Sequence, residues 1–572
     1  MDNFLTNSIP LADWVESATD WITNTFSGAF NVIQNGGQAL MDGITNTLLI
    51  IPPLLMIALL TIAAFLLSKK KWGFPTFVLI GLLYIYNQNL WDDLMNTVTL
   101  VLVATLLSVI IGIPLGIWMA KSNRVEAVIK PLLDFMQTMP SFVYLIPAVA
   151  FFGIGVVPGV FASIIFALPP TVRMTNLGIR QVPTELVEAS DSFGGTPQQK
   201  LFKLELPLAK STILAGVNQT LMLALSMVVT ASMIGAPGLG KGVLSALQRS
   251  QVGNGFVNGL ALVVLAIIVD RFTQMFNRPS QAKSKEATAK RKRYSLIGAA
   301  VAVVAIIGAI IINSTGQNNK TVTLAYVEWD SEVASTNVAA KVLENQGYNV
   351  KLVALDNSVM WKSVSNGEAD ATLSAWLPST HAEQYAKYKN SLNNLGPNLK
   401  GAKLGLVVPS YTDVDSIEDL SNEADQTITG IEPGAGVMTA AQKTIDDYPN
   451  LSGWQLQSSS SGAMTTALNK AIKNKEDIII TGWTPHWMFA KYDLKYLKDP
   501  KGTMGGEESI NTMARKGLKK DMPEVYKILD NFYWKTDDIE EVMLDINSGT
   551  DPEKAAEKWV NKNKDKVSEW TK

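Results

Sequence analysis

Cysteine is absent from all 572 residues, and histidine occurs only twice, at His381 and His486. The first absence excludes disulfide scaffolds, thiolate metal sites and cysteine nucleophiles together. The second leaves too few ligands for a histidine-based metal site and no convincing nucleophile–base pair, so neither a catalytic site nor a cofactor is expected on this chain. A surplus of one charge sign is also missing. Lys and Arg total 49 against 51 Asp and Glu, and they gather in short loops rather than on a broad basic face, which argues against nucleic acid as a partner. The first forty residues lack the basic start and early apolar core of a signal peptide, carrying Asp13, Glu16 and Asp20 instead, so targeting is expected to rest on membrane-spanning helices.

Long apolar runs fill the first half. Eight spans are expected, at 48–67, 74–91, 97–120, 130–152, 157–176, 213–234, 256–269 with its flanks, and 294–312. Every second connection is basic: Lys69 to Lys71; Lys121, Arg124 and Lys130; Arg173, Arg180, Lys200 and Lys203; and the stretch 271–293. By the positive-inside rule those connections face the cytoplasm of a cell membrane, which puts the N-terminus and everything after Asn313 outside. Within an N-terminal segment 1–46, residues 11–40 place Trp14, Val15, Trp21, Ile22, Phe26, Phe30, Val32 and Ile33 at loosely helical spacing, as expected of an interfacial amphipathic helix on the outer leaflet or of a collar on the helical block. The remaining divisions are two accessory helices (47–92), a main helical block (93–276), a basic linker (277–293), a last span (294–312), a polar tether (313–320) and a soluble domain (321–572). Strand–helix alternation from Thr321 onward (TVTLAYVEWD, NVKLVAL, ADATLSAWLP, KLGLVVPS, TITGIE, DIIITGW) implies an α/β fold with mainly parallel sheet, in two lobes joined by crossing strands. One lobe is expected to comprise 321–408 plus the C-terminal helices and the other 411–497.

The stretch EASDSFGGTPQQKLFKLELP, residues 188–207, lies in a cytoplasmic connection. Glu188 and Ala189 open it, Gly194 permits a tight turn, and Leu206 and Pro207 close it, the proline being expected to end a helix. In this spacing it resembles the EAA loop of ABC-importer permeases. That resemblance implies a short helix, a turn and a helix docking on an ATPase subunit. Gly235 to Lys241 (GAPGLGK) imitates a phosphate-binding loop, but Gly242 stands where Mg²⁺ coordination needs Ser or Thr and no strand precedes it. It is read as a glycine-rich turn near the translocation path, so ATP and Mg²⁺ belong to a separate ATPase subunit. Pro140, Pro147, Pro169 and Pro170 are expected to break or kink central helices, and Asp134 is either a buried functional group or a snorkelling interfacial carboxylate.

Nine of the fourteen tryptophans lie beyond Asn313, and most are expected to be packing. Trp329, Trp376 and Trp483 differ in ending strands, where open α/β sheets bind ligands. Three indole faces form a cage for a quaternary ammonium, a cation without N–H donors. The run IEPGAGVMTAAQ supplies the complementary carboxylate receptor: Gly434, Ala435, Gly436 and Val437 lead into a helix start whose free N–H groups and dipole favour an anion. His486 adds a candidate hydrogen bond. His381 is read as a surface residue, and Trp487 as cage rim or packing.

Taken in order, the loop 188–207 and the runs YVEWDSEVAS, ADATLSAWLP, EPGAGVM and GWTPHWMF resemble the fused permease and substrate-binding subunits of OpuA-type glycine betaine ABC importers, over essentially the whole chain. The resemblance implies a type I ABC permease of about eight spans with its core at 93–276, fused to a periplasmic-binding-protein-like domain. It also implies a cage of Trp329, Trp376 and Trp483, and carboxylate contacts at Gly436, Val437 and His486. Two copies of the chain with two ATPase subunits, and a role in osmotic stress, follow from it as well. The basic residues Lys290 to Arg293 are candidate contacts for anionic lipids. Carnitine, choline or proline betaine would suit much the same cage. A ligand-gated channel or sensor would use the outer domain too, but has no need of an ATPase-coupling loop.

Overall fold

The computed structural model describes residues 10–68, 71–248, 251–277 and 321–572. The chain separates into a helical unit and an α/β unit. In the helical unit, Trp91–Lys121, Val156–Arg180, Pro197–Ser232 and Val252–Met275 are long and apolar enough to cross a membrane. Two bent pairs, Ser27–Ile50 with Pro53–Leu67 and Asn123–Thr138 with Ser141–Phe152, turn by 88° and 107°, and Gly73–Asn87 is a shorter apolar helix. The described residues therefore hold four spans, or six if each bent pair counts as one. The expected count of eight is not reached among them, and the eighth span, 294–312, lies outside the described residues together with the tether and all of the linker but Asn277.

Proline explains where the expected spans depart from the observed helices. The run 48–67 breaks at Ile51, because Pro52 and Pro53 disfavour helix in the residues before them and begin a new helix. Pro140 breaks 130–152 in the same way after Met139. Pro169 and Pro170, in contrast, lie inside the unbroken helix Val156–Arg180. Pro207 does not end a helix either. It is the second residue of Leu206–Ser232, directly after a π-helical stretch, Leu201–Glu205, whose wider turn already departs from the i→i−4 pattern that proline cannot complete.

Helix Trp91–Lys121 lies close against Val156–Arg180. A β-carbon at Gly116 would fall 2.5 Å from Thr175 Cβ and 2.7 Å from the Val172 carbonyl, so the small residues at 112 and 116 allow the approach. Buried Thr171 and Thr220 share a 2.8 Å hydroxyl hydrogen bond between Val156–Arg180 and Leu206–Ser232. The N-terminal helices Leu11–Thr25 and Ser27–Ile50 expose Trp14, Val15, Trp21, Phe26, Val32 and Ile33. Phe30 turns inward and stacks on Phe151 at 5.1 Å. Asp134 forms an exposed ion pair with Arg173 at 2.5 Å.

The α/β unit carries nine strands: β1 (Thr321–Tyr326), β2 (Asn349–Ala354), β3 (Ala371–Leu377), β4 (Leu392–Pro409), β5 (Thr427–Thr429), β6 (Gln455–Gln457), β7 (Ile479–Thr484), β8 (Leu494–Tyr496) and β9 (Glu507–Arg515). Their order is β2-β1-β3-β9-β4-β7-β5-β6, with β8 on the flank of β4. Parallel triplets β2-β1-β3 and β7-β5-β6 form the two lobes. Antiparallel β4 and β9 join them: β4 pairs with β9 from Leu392 to Lys403, then with β7 from Lys403 to Val407. The crossing strand β9 is absent from the sequence reading. Helices Thr536–Asn547 and Pro552–Lys562 pack on Asp330–Asn345 of the first lobe.

Candidate functional site

Each tryptophan at a strand end reaches the same place. Trp376 and Trp483 are the penultimate residues of β3 and β7. Trp329 lies three residues beyond β1, at the N-cap of Asp330–Asn345. All three are buried, and together with Thr380, Leu404, Ile431, Ala435, Gly436 and Val437 they line one pocket between the lobes. Trp329, Trp376 and Thr380 come from the first lobe. Trp483 and the residues from Ile431 to Val437 come from the second. Apart from Thr380 and the indole edges the lining is apolar, which strengthens any electrostatic contact made inside.

Gly436–Asp447 begins at this cavity with Ala435 as N-cap and no side-chain cap. The Met438 amide donates to the Ala435 carbonyl at 3.0 Å, whereas the Gly436 and Val437 amides stand at the first two helical positions, where no acceptor lies within the helix, and both residues line the cavity. The arrangement pairs aromatic faces with a positive helix end in one small enclosure. It suits a compact zwitterion with a bulky cationic head and a carboxylate.

The indole edges are held by two carboxylates that the sequence reading did not identify. Trp376 Nε1–H donates to Glu332 Oε1 at 2.9 Å, and Trp329 Nε1–H donates to Glu432 Oε1. Glu332 is fully buried, and burial pushes its carboxyl up to about 7 against the opposing pull of its hydrogen bonds. Burial likewise raises Glu432, opposed first by the Trp329 N–H. Glu432 stands inside the quoted run EPGAGVM, but nothing local distinguishes it from a turn carboxylate, and Glu332 reads as a first-turn residue favouring the helix dipole.

Both histidines lie elsewhere than expected. His381 is completely buried rather than on the surface, and its ring stacks beneath Trp329 at 5.9 Å with 26° between planes. Its Nδ1 accepts the backbone N–H of Trp376 at 3.1 Å, and desolvation lowers its pKa to about 3, which keeps it neutral under the cage. His486 is not part of the cavity lining. It packs edge-to-face on Trp483 at 4.7 Å, accepts the Met488 N–H at Nδ1, and brings Nε2 to 3.4 Å from Asp330 Oδ2. Trp487 packs on His486 and also stays out of the lining.

In the helical unit, Glu188 and Ala189 are exposed on Thr184–Ser192. Gly194 turns the chain at φ +74°, a conformation that side chains disfavour. Leu206 packs beside Ile179, Ala209 and Ile213. Phe193, at 92% exposure, projects from the turn. Gly235 and Gly238 connect two helices with no strand before them, and the Leu239 amide donates to Thr97 Oγ1 at 2.9 Å.

Comparison with known proteins agrees with both halves. Residues 320–562 match the substrate-binding domain of ABC-type glycine betaine transport systems, and residues 112–279 match the binding-protein-dependent transport system inner membrane component. The chain is 59% identical over 278 residues to the glycine betaine/carnitine transport permease protein GbuB of Listeria monocytogenes serotype 1/2a (strain 10403S), covering 48% of this chain and 98% of that one. It is 51% identical over 266 residues to the glycine betaine transport system permease protein OpuAB of Bacillus subtilis (strain 168), covering 46% and 94%. The crystal structure of lactococcal OpuAC, closed and complexed with glycine betaine, is 60% identical and covers 44% of this chain and all of that one, with a TM-score of 0.44. The chain therefore belongs to the ABC-type glycine betaine transporter family, as a membrane-spanning permease and a substrate-binding domain fused in one polypeptide.

Proposed function

We propose that the chain imports glycine betaine, with the ammonium head enclosed by Trp329, Trp376 and Trp483 and the carboxylate received by the amides of Gly436 and Val437. The observation that carries this reading is the convergence of three buried indoles from two lobes on one pocket that an uncapped helix start also reaches. A quaternary ammonium gains cation–π attraction from each of the three indoles, and a carboxylate gains the helix end. His486 acts indirectly in this arrangement, by bracing Trp483. Residues 321–572 form an extracellular binding domain, 93–276 the permease core, and 1–46 an interfacial segment.

The energy for import comes from a separate ATPase, two copies of which serve two copies of this chain. The exposed face at 184–199 supports this reading: Glu188, Ala189 and the projecting Phe193 offer a docking surface, and Gly194 sets its turn. Motion there reaches the membrane through Leu206 and Pro207, which open helix Leu206–Ser232. The test is titration calorimetry of the full chain in lipid nanodiscs with glycine betaine, carnitine and choline. Saturable betaine binding that Trp376→Ala and Trp483→Ala each abolish, with choline weaker for want of a carboxylate, is expected. Full betaine affinity in both variants would refute the assignment.

A further inference from the structure

Trp329 and Glu432 belong to different lobes. Trp329 follows β1 and caps Asp330–Asn345, whereas Glu432 follows β5 and precedes Gly436 by four residues. Their indole–carboxylate hydrogen bond thus crosses the cleft and exists only when the lobes are together. Trp376 has the opposite arrangement. Its acceptor, Glu332, sits on the helix after β1, within the same lobe, so that indole is fixed whether the cleft is open or shut. The stacked His381 gives Trp329 a support of its own lobe on one face, but holds no part of its N–H edge.

We propose that Glu432 is a positioning residue which ties lobe closure to completion of the cage: by accepting the Trp329 N–H across the cleft, it locks the last indole wall and sets the lifetime of the loaded, closed state. This inference rests on the betaine reading of the cavity and deepens it. A second hydrogen bond crosses nearby, from Asn357 Nδ2 to the Gly434 carbonyl at 3.3 Å, so the segment from Glu432 to Gly436 is the part of the second lobe that grips the first. A bond made only after closure slows ligand escape more than ligand entry, since entry occurs while the cleft is open.

The experiment is stopped-flow measurement of glycine betaine association and dissociation by intrinsic tryptophan fluorescence on the full chain in nanodiscs. Glu432→Ala is expected to raise the dissociation rate about tenfold, a change that corresponds to about 1.4 kcal/mol, with the association rate within about twofold of the parent. Glu432→Gln keeps an oxygen acceptor and is expected to restore slow dissociation. Parent-like dissociation in Glu432→Ala would overturn the proposal, and so would a Glu432→Gln variant as fast as the alanine form. Trp483→Ala separates the two levels. If it binds betaine normally, the cavity reading itself fails. If it loses binding while Glu432→Ala dissociates like the parent, only the latch fails.

Discussion

Gly436 lies so close to Thr380 across the cleft that a β-carbon at 436 would fall 2.3 Å from Thr380 Cγ2 and 2.6 Å from its carbonyl oxygen. The side-chain methyl can rotate away, but the carbonyl belongs to the turn after β3 and cannot. Gly436→Ala is therefore expected to hold the lobes apart and weaken betaine binding by about tenfold or more, without lowering the helix's own stability, because alanine is favoured over glycine in a helix. Calorimetry on the two proteins checks this, and parent-like affinity would contradict it.

The Glu332 carboxyl makes a distinct prediction about pH. Its pKa rises from 4.5 to about 7 on folding, so between those values the native state holds a proton that the unfolded chain has released. Stability carried by this group is then full below about pH 4.5 and declines as pH rises toward 7. Glu332→Gln keeps an acceptor for the Trp376 N–H but cannot titrate. The difference in unfolding temperature between Glu332→Gln and the parent is expected to grow in favour of the variant from pH 5 to pH 8. A difference that stays constant would refute the assignment.

Glu205, in the π-helical stretch, is buried and receives Lys121 Nζ at 2.5 and 2.6 Å on its two oxygens. Removing the lysine strands a buried carboxylate, at a cost of roughly 1–3 kcal/mol once the partial exposure of Lys121 is allowed for. Lys121→Met is expected to lower the unfolding temperature of the solubilised chain, and Lys121→Met with Glu205→Met to recover most of it. Thermal unfolding of the two variants decides the matter, since equal losses in both would show that a stranded Glu205 carboxylate is not the source of the loss.

The parts legible in the sequence were those encoded by local pattern. Strand ends announced Trp376 and Trp483, and a glycine-rich approach to a helix announced Gly436 and Val437. What escaped depends on tertiary neighbours. His381 follows Pro378, Ser379 and Thr380 and looks like an exposed turn residue, yet the turn folds back and seats the ring under Trp329. Glu332 and Glu432 carry no local mark of their indole partners, because each meets its tryptophan only through the fold. Pro207 looked like a helix terminator because a π-turn leaves no signature in composition. Strand β9 carries no local mark of its crossing role, because its partners β3 and β4 lie more than a hundred residues earlier.

The central claim is that the cavity recognises a positive charge through aromatic faces, and the most direct measurement replaces that charge without changing shape. Glycine betaine and its uncharged-head isostere 3,3-dimethylbutanoate share the carboxylate and the three methyl groups, differing in nitrogen against carbon. Calorimetric titration of the full chain with both is expected to show the isostere binding about 30-fold more weakly or worse, the difference that about 2 kcal/mol of desolvated cation–π attraction produces. Equal affinities would mean that the three tryptophans provide only an apolar hole, and would contradict the account.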